Sequence, residues 1–226
     1  MHKTTLSLIL ISFFFSCSAQ SNEEETVNQS ATEDSVKLEL DSVDIDFQFR
    51  GRCYAFNSAK HNVESNGEAH SSNLAQKTDD SFTKNDNYLF LNTQEYEGSD
   101  NNRAAHKLYL VNTTKSKISY SAQDSRLNIV AQALDENGEW KDISYLPSSW
   151  CGNSYHKVTL GKNEYWRFYV PVFKGTFATK LRYVLLDGGE NLLVSNEIDV
   201  LINPGQFNAE KKQGHNSEGI MDPYDD

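Results

Sequence analysis

Apolar side chains in this chain recur at every second position, and that period constrains the fold more than any other feature. Period two places alternate residues on opposite faces of an extended strand, whereas a helix needs spacings of three and four. Ile45-Asp46-Phe47-Gln48-Phe49-Arg50 alternates, and Cys53-Tyr54-Ala55-Phe56 continues the pattern past Gly51. In residues 107–112 Leu108 and Leu110 share a face; in residues 127–134 Leu127, Ile129, Ala131 and Ala133 do. Asp135-Glu136-Asn137-Gly138 is a turn in which glycine supplies positive φ, and residues 139–145 return with Trp140 and Ile143. Residues 164–170 form an aromatic-rich strand. Residues 179–186 bury Leu181, Tyr183 and Leu185 and leave Lys180 and Arg182 outside. After a second turn at Asp187-Gly188-Gly189-Glu190, Leu192, Val194, Ile198, Val200 and Ile202 share one face of a last strand, and Ser195, Glu197 and Asp199 meet water. With short strands at 118–121 and 156–160, the spacing predicts an antiparallel β-sandwich with Trp140 or Trp166 as a core anchor.

The ends are different in kind. Residues 1–20 read MHKTTLSLILISFFFSCSAQ, where His2 and Lys3 precede an apolar run from Leu6 to Phe15. That run is too short to span a bilayer as a helix and has the layout of a secretory signal peptide. Phe14-Phe15-Ser16-Cys17 resembles a bacterial lipobox, in which Cys17 becomes the lipidated first residue and residues 1–16 are removed. Cutting before Gln20 instead removes residues 1–19. The segment 17–44 is an acidic linker: residues 21–44 hold eight acids and one base, Lys37. Such a stretch cannot bury enough apolar surface to offset its chain entropy. It also resembles the surface-export signals of some lipoproteins, with a plain solvated linker as the alternative. Residues 208–226 lack periodicity and read as a disordered tail.

The folded domain is therefore expected at 45–207, interrupted by a long polar excursion at 57–106 whose one strand candidate is Tyr88–Leu91. Both leader readings remove Cys17 from the fold. Cys53 and Cys151 remain, an even pair in an exported chain, so a Cys53–Cys151 disulfide is expected, with free thiols as the alternative.

The chain carries 32 acidic and 21 basic residues, a formal charge of −11. No basic field attracts phosphates, so nucleic acid is not an expected partner. The sequence contains no nucleophile elbow, P-loop, zinc-protease helix or dinucleotide fingerprint. A metal site can be drawn from His61, Glu64, Glu68 and His70, or a calcium site from Asp79, Asp80 and Asp86 or from Asp100, Asn101 and Asn102, but none has a recognised ligand spacing. Ser148 and Ser149 near His156 do not assemble a triad, and Glu164, Glu197 and Asp199 read as carboxylates that solubilise a sheet. No metal, cofactor or catalytic residue is expected. The feature that stands out is aromatic: Trp150, Tyr155 and His156 surround Cys151 in a loop between two strands. Such a loop suits a sugar ring or a partner loop, with packing against the disulfide as the alternative.

Over about 95 residues the chain resembles bacterial lipoproteins with an immunoglobulin-like domain of unassigned function, carried by the stretch WRFYVPVFKGTFATKLRYVLLDGG…SNEIDVLINPGQF. There Tyr183, after the Phe173–Phe177 corner, takes a tyrosine-corner place. No activity is carried by that resemblance; the leader, the acidic tether and the sandwich pattern together imply an exported protein at the outer membrane or cell surface, otherwise periplasmic or secreted. Its membrane partner is reached through a lipid such as palmitate on Cys17, and it acts as a non-catalytic binding or structural module with a protein or glycan ligand. The alternative is a carbohydrate-binding or hydrolytic accessory protein using the loop around Trp150.

Overall fold

The computed structural model describes residues 41–57, 71–83, 85–99, 103–149 and 151–213, all within one compact unit, Glu39–Asp226. Cys17 and the rest of residues 1–40, the histidines and glutamates of residues 58–70, residues 100–102, Trp150 and residues 214–226 lie outside the described residues.

The described chain is all-β. In chain order its strands are β1 (Phe49–Arg50), β2 (Gln76–Lys77), β3 (Asn87–Ser99), β4 (Arg103–Asn112), β5 (Ile118–Gln123), β6 (Arg126–Leu127) and β7 (Ile129–Leu134). Then follow β8 (Trp140–Asp142), β9 (Ser144–Tyr145), β10 (Tyr155–Leu160), β11 (Glu164–Pro171), β12 (Phe177–Asp187), β13 (Glu190–Val194) and β14 (Ile198–Ile202). One antiparallel sheet runs β2-β11-β4-β3. A second runs β13-β12-β7-β8, with β14 beside β13 on the same edge of β12; a third is β10-β5-β6, and β1 pairs with β9 in parallel.

Inward residues of these sheets meet in one hydrophobic cluster that includes Leu108 and Leu110 of β4, Trp166 and Phe168 of β11, Ile129 of β7 and Leu185 of β12. Of the two expected anchors, Trp166 is the one fully buried. Its indole Nε1 donates to Phe56 O at 2.8 Å, and its ring meets Tyr120 edge-on at 6.0 Å. Trp140 is only half-buried, with the Arg182 guanidinium 4.0 Å over its ring. The two expected turns are present: Gly138, Gly188 and Gly189 have φ of 74°, 59° and 88°.

Several boundaries differ from the sequence reading. The polar excursion is not all loop. β3 and β4 form a long hairpin covering 87–112, because backbone pairing continues past Leu91 through residues whose side chains carry no apolar period. Residues 41–56, read as linker end and strand, form a strap whose regular strand is only Phe49–Arg50. Its other bonds go in turn to different neighbours: Asp41 to Ala104, Val43 to Val172 and Lys174, Gln48 to Lys211 and Gln213. Residues 208–213, read as tail, thus belong to the fold.

The last strand also changes phase. Leu192 and Val194 are exposed while Leu193 packs on the core, and Ser195, expected in water, is buried. An interruption at 195–197 separates β13 from β14 and shifts the side-chain phase by one residue. Ser195 Oγ accepts the Tyr183 N–H at 2.9 Å, and the Asn196 side chain both accepts the Leu91 N–H at 2.8 Å and donates to Leu91 O at 3.0 Å. The interruption is thereby pinned to β3 of the other sheet.

Candidate functional site

The loop singled out by its aromatics is tied down by its own polar groups. Tyr155 is half-exposed, and its hydroxyl accepts the Ser149 N–H at 3.1 Å. Ser149 Oγ in turn accepts from the Cys151 N–H and from the Ser154 hydroxyl. Arg126, almost fully buried, donates through Nη2 to Pro147 O and to Gln123 Oε1 at 2.9 Å. His156 places Nε2 3.4 Å from Ser125 Oγ and Nδ1 3.3 Å from Ser154 O. This Ser–His contact lacks the features of a nucleophilic pair. Ser125 has no exposed surface, it sits with Asp124 in a left-handed turn (φ 64° and 47°), and the imidazole's other nitrogen faces a carbonyl rather than a carboxylate. Of the expected ligand-binding residues, Tyr155 and His156 bond to the loop and its neighbours while the Tyr155 ring stays exposed, and Trp150 lies outside the described residues.

The expected Cys53–Cys151 bridge is not formed: both are free thiols, Cys53 buried and Cys151 exposed. Cys53 follows the strap into the core, where its backbone carbonyl accepts the Leu127 N–H, while Cys151 precedes a 3-10 turn at Gly152–Ser154 on the surface. Burial pushes the Cys53 thiol up to about 12, partly opposed by the Arg126 charge. No three His, Cys, Asp or Glu side chains converge to hold a metal among the described residues. Asp79, a candidate calcium ligand, is occupied instead by the Ser81 hydroxyl and N–H, which hold its carboxyl below its ordinary range. Glu164, read as a surface carboxylate, is buried, with Lys77 Nζ at 2.9 Å and the Gly161 N–H at 2.8 Å.

The strongest site is one that sequence reasoning did not reach. Beneath the strap lies a partly open cavity of about 270 Å³. Its apolar wall comes from the strap (Val43, Ile45, Phe49), from Ile129 of β7 and from Val170 and Phe173 at the end of β11 and just beyond. Arg50, Arg52 and Arg103 also line it, and among the described residues no aspartate or glutamate does. Tyr183 of β12 is a further lining residue. It is 2% exposed, and its hydroxyl has no hydrogen-bond partner among the described residues. Its position does not make a tyrosine corner, since that motif requires the hydroxyl to bond the backbone. Burial raises the Tyr183 pKa well above its ordinary value, and the nearby Cys53 raises it further.

A buried hydroxyl left without a partner costs roughly 1–3 kcal/mol, so such a group marks a place to look for a ligand or a role. The local signal for this site was slight: Arg50-Gly51-Arg52 concentrates basic charge in an acidic chain. Arg103 and Tyr183 join it only through the fold. A wider hollow, of about 770 Å³, lies against β12 and β14. Its polar rim of Asp135, Glu136, Lys180 and Asp199 is surface charge, and Lys180 and Asp199 already pair at 2.7 Å.

No protein-family model matches the chain, and no curated protein or solved structure matches it.

Proposed function

We propose that this protein is an exported, lipid-anchored binding module without catalytic activity, and that the cavity under the strap is where it binds. The observation that carries the binding reading is the buried Tyr183 hydroxyl, without a partner among the described residues, on the wall of a largely apolar cavity that arginines also line. A concave, largely apolar site with a few convergent polar groups is the usual form of a small-molecule site. The buried, carbonyl-facing Ser125–His156 contact is not built as a nucleophile–base pair.

Export and anchoring rest on the apolar leader, on Cys17 at its end and on the acidic run behind it. The immunoglobulin-like assignment is part of the same proposal. It draws support from two larger antiparallel sheets that share one core with Trp166 buried in it.

The binding reading is tested by calorimetric and thermal-shift screening of small metabolites against the chain and against Val43→Phe, which puts a ring into the cavity from the strap. A ligand that binds the parent and not a folded Val43→Phe is the expected result. Binding undiminished in that variant overturns the cavity as the site. The anchor is tested separately by palmitate labelling, which Cys17→Ala should abolish; equal labelling of the variant removes the anchor.

A further inference from the structure

We propose that the cavity takes a medium-chain aliphatic carboxylate of about eight carbons, a ligand with one anionic head and a saturated tail. This rests on the reading that the cavity is a binding site, and it goes on to say what the site selects.

The wall offers donors and positive charge but no carboxylate. A guanidinium only donates, in a planar fork that matches two carboxylate oxygens, and exposed Arg52 brings such a fork to the wall that Arg50 and Arg103 also line. A cation or a donor-rich ligand would find no acid among the described lining residues to receive it. This is a local inversion of the chain's charge of −11. Tyr183 adds a phenolic hydroxyl, buried and unpartnered, that can donate to a ligand oxygen. The Ser144 hydroxyl, also on the wall, is already engaged: its oxygen accepts the Ala131 N–H at 2.8 Å.

Apart from Cys53, Tyr169 and Gln213, the remaining side chains of the wall are hydrocarbon. Val43, Ile45, Ile129 and Val170 are branched aliphatic side chains that pack against a tail without offering it a polar partner. Size sets the length. A volume of about 270 Å³, at the roughly 30 Å³ that a water occupies in the liquid, holds roughly nine non-hydrogen atoms. An eight-carbon carboxylate has that scale, whereas a long-chain lipid would leave most of its tail outside.

The test is calorimetric titration of the full chain, carrying Cys17→Ala so that no attached acyl group competes, with three probes of equal length: octanoate, octanol and octylamine. The expected result is one octanoate per chain, bound at least tenfold more tightly than either counterpart and more weakly as salt rises. Arg52→Gln, at an exposed position, should weaken octanoate and flatten its salt dependence. Tyr183→Phe should weaken octanoate at least fivefold and leave octanol unchanged, with a thermal midpoint no lower than the parent's, since the variant removes only a hydroxyl without a partner. Octanol bound as tightly as octanoate overturns the anion assignment while leaving the cavity as a site. No heat with any probe, from a chain whose thermal midpoint is normal, overturns the carboxylate proposal, and if the metabolite screen is also blank the cavity reading falls with it. Octanoate affinity unchanged in a folded Tyr183→Phe overturns the assigned contact.

Discussion

Asn112 ends β4 with no exposed surface, and replacing it measures how much the buried polar links between strands contribute to stability. Its Nδ2 donates to Ser116 O at 2.8 Å and to Gly161 O at 3.0 Å, with a longer contact to Leu160 O at 3.3 Å. Its Oδ1 accepts the Thr114 N–H at 3.0 Å and the Thr114 hydroxyl at 2.7 Å. Four well-placed bonds at about 1 kcal/mol each give a gross loss near 4 kcal/mol. Thr114 and Ser116 lie near water and recover part of that, whereas Gly161 is buried. Asn112→Ala should therefore destabilise by about 3 kcal/mol. At a urea slope of about 2 kcal/mol/M, the midpoint falls by about 1.5 M. Asn112→Asp is the sharper probe. It keeps the oxygen that accepts from Thr114 but turns the donor into a second carboxylate oxygen facing the Ser116, Leu160 and Gly161 carbonyls. Burial and those carbonyls disfavour the ionised form, so the new carboxyl's folded pKa rises above its unfolded value of about 3.9. An acid shifted that way contributes stability fully below the unfolded pKa and loses it as pH rises through the folded one. Asn112→Asp should then lie closest to the parent near about pH 3 and fall below Asn112→Ala near about pH 7. Urea unfolding of the three proteins at both pH values reads this directly. A variant as stable as the parent at neutral pH, or a deficit that does not grow between the two, refutes the reasoning. The same burial makes Asn112-Thr113-Thr114 no glycan acceptor once the chain is folded.

Mass-mapped alkylation should label Cys151 at once and Cys53 only on unfolding; a mass two units low with neither labelled would restore the bridge. Because burial lifts the Cys53 thiol from 9.0 to about 12, its contribution to stability is full below 9.0 and lost as pH climbs towards 12, a limb that Cys53→Ala should remove from denaturant curves. Asn196→Ala should cost about 1–2 kcal/mol and speed hydrogen exchange at the Leu91 amide; an unchanged exchange rate there refutes the inter-sheet link. Asp135 is held below its ordinary pKa by the Glu139 and Asn137 N–H groups, so its contribution is present above the usual carboxylate range and lost as pH falls through the lower folded value. Acid unfolding of Asp135→Asn should show a shallower limb than the parent. Trp166→Phe should cost about 2–3 kcal/mol, from the lost bond to Phe56 O and the space left beside Tyr120; a change under about 0.5 kcal/mol would contradict its full burial.

What the sequence made legible was what side chains alone decide. Leu127, Ile129, Ala131 and Ala133 alternate and are all buried; so are Leu181, Tyr183 and Leu185, and the turns at Gly138 and Gly188-Gly189 have the positive φ read from them. What it concealed was decided by backbone. Asn92 and, after a register shift, residues 96–99 of β3 pair with β4 through main-chain groups that every residue carries whatever its side chain. The phase shift before β14 depends on Ser195 and Asn196 using side chains as backbone surrogates, and a serine and an asparagine on a strand otherwise read as solvent-facing. The aromatic loop drew notice because tyrosine and tryptophan are common at binding surfaces, yet the Tyr155 hydroxyl is engaged by Ser149. No spacing joins Arg50, Arg103 and Tyr183, since each belongs to a different element.

The strap gives a physical reason why a cavity forms where it does. A strand paired along a single neighbour keeps one register, and every second side chain then interdigitates with the facing layer. The strap changes partner repeatedly: Val43 bonds Val172 and Lys174, Gln48 bonds Lys211 and Gln213, Gly51 bonds Tyr145, and Cys53 bonds Leu127. Its side chains cannot hold one phase against all of these, so Val43, Ile45 and Phe49 roof the space over Ile129 and Tyr183 without filling it. Phenylalanine at 183 would present the same ring to the core without a hydroxyl that costs roughly 1–3 kcal/mol when left unpaired. Tyrosine is therefore the less stable choice for packing alone, and the hydroxyl makes physical sense when something else on that wall accepts its proton.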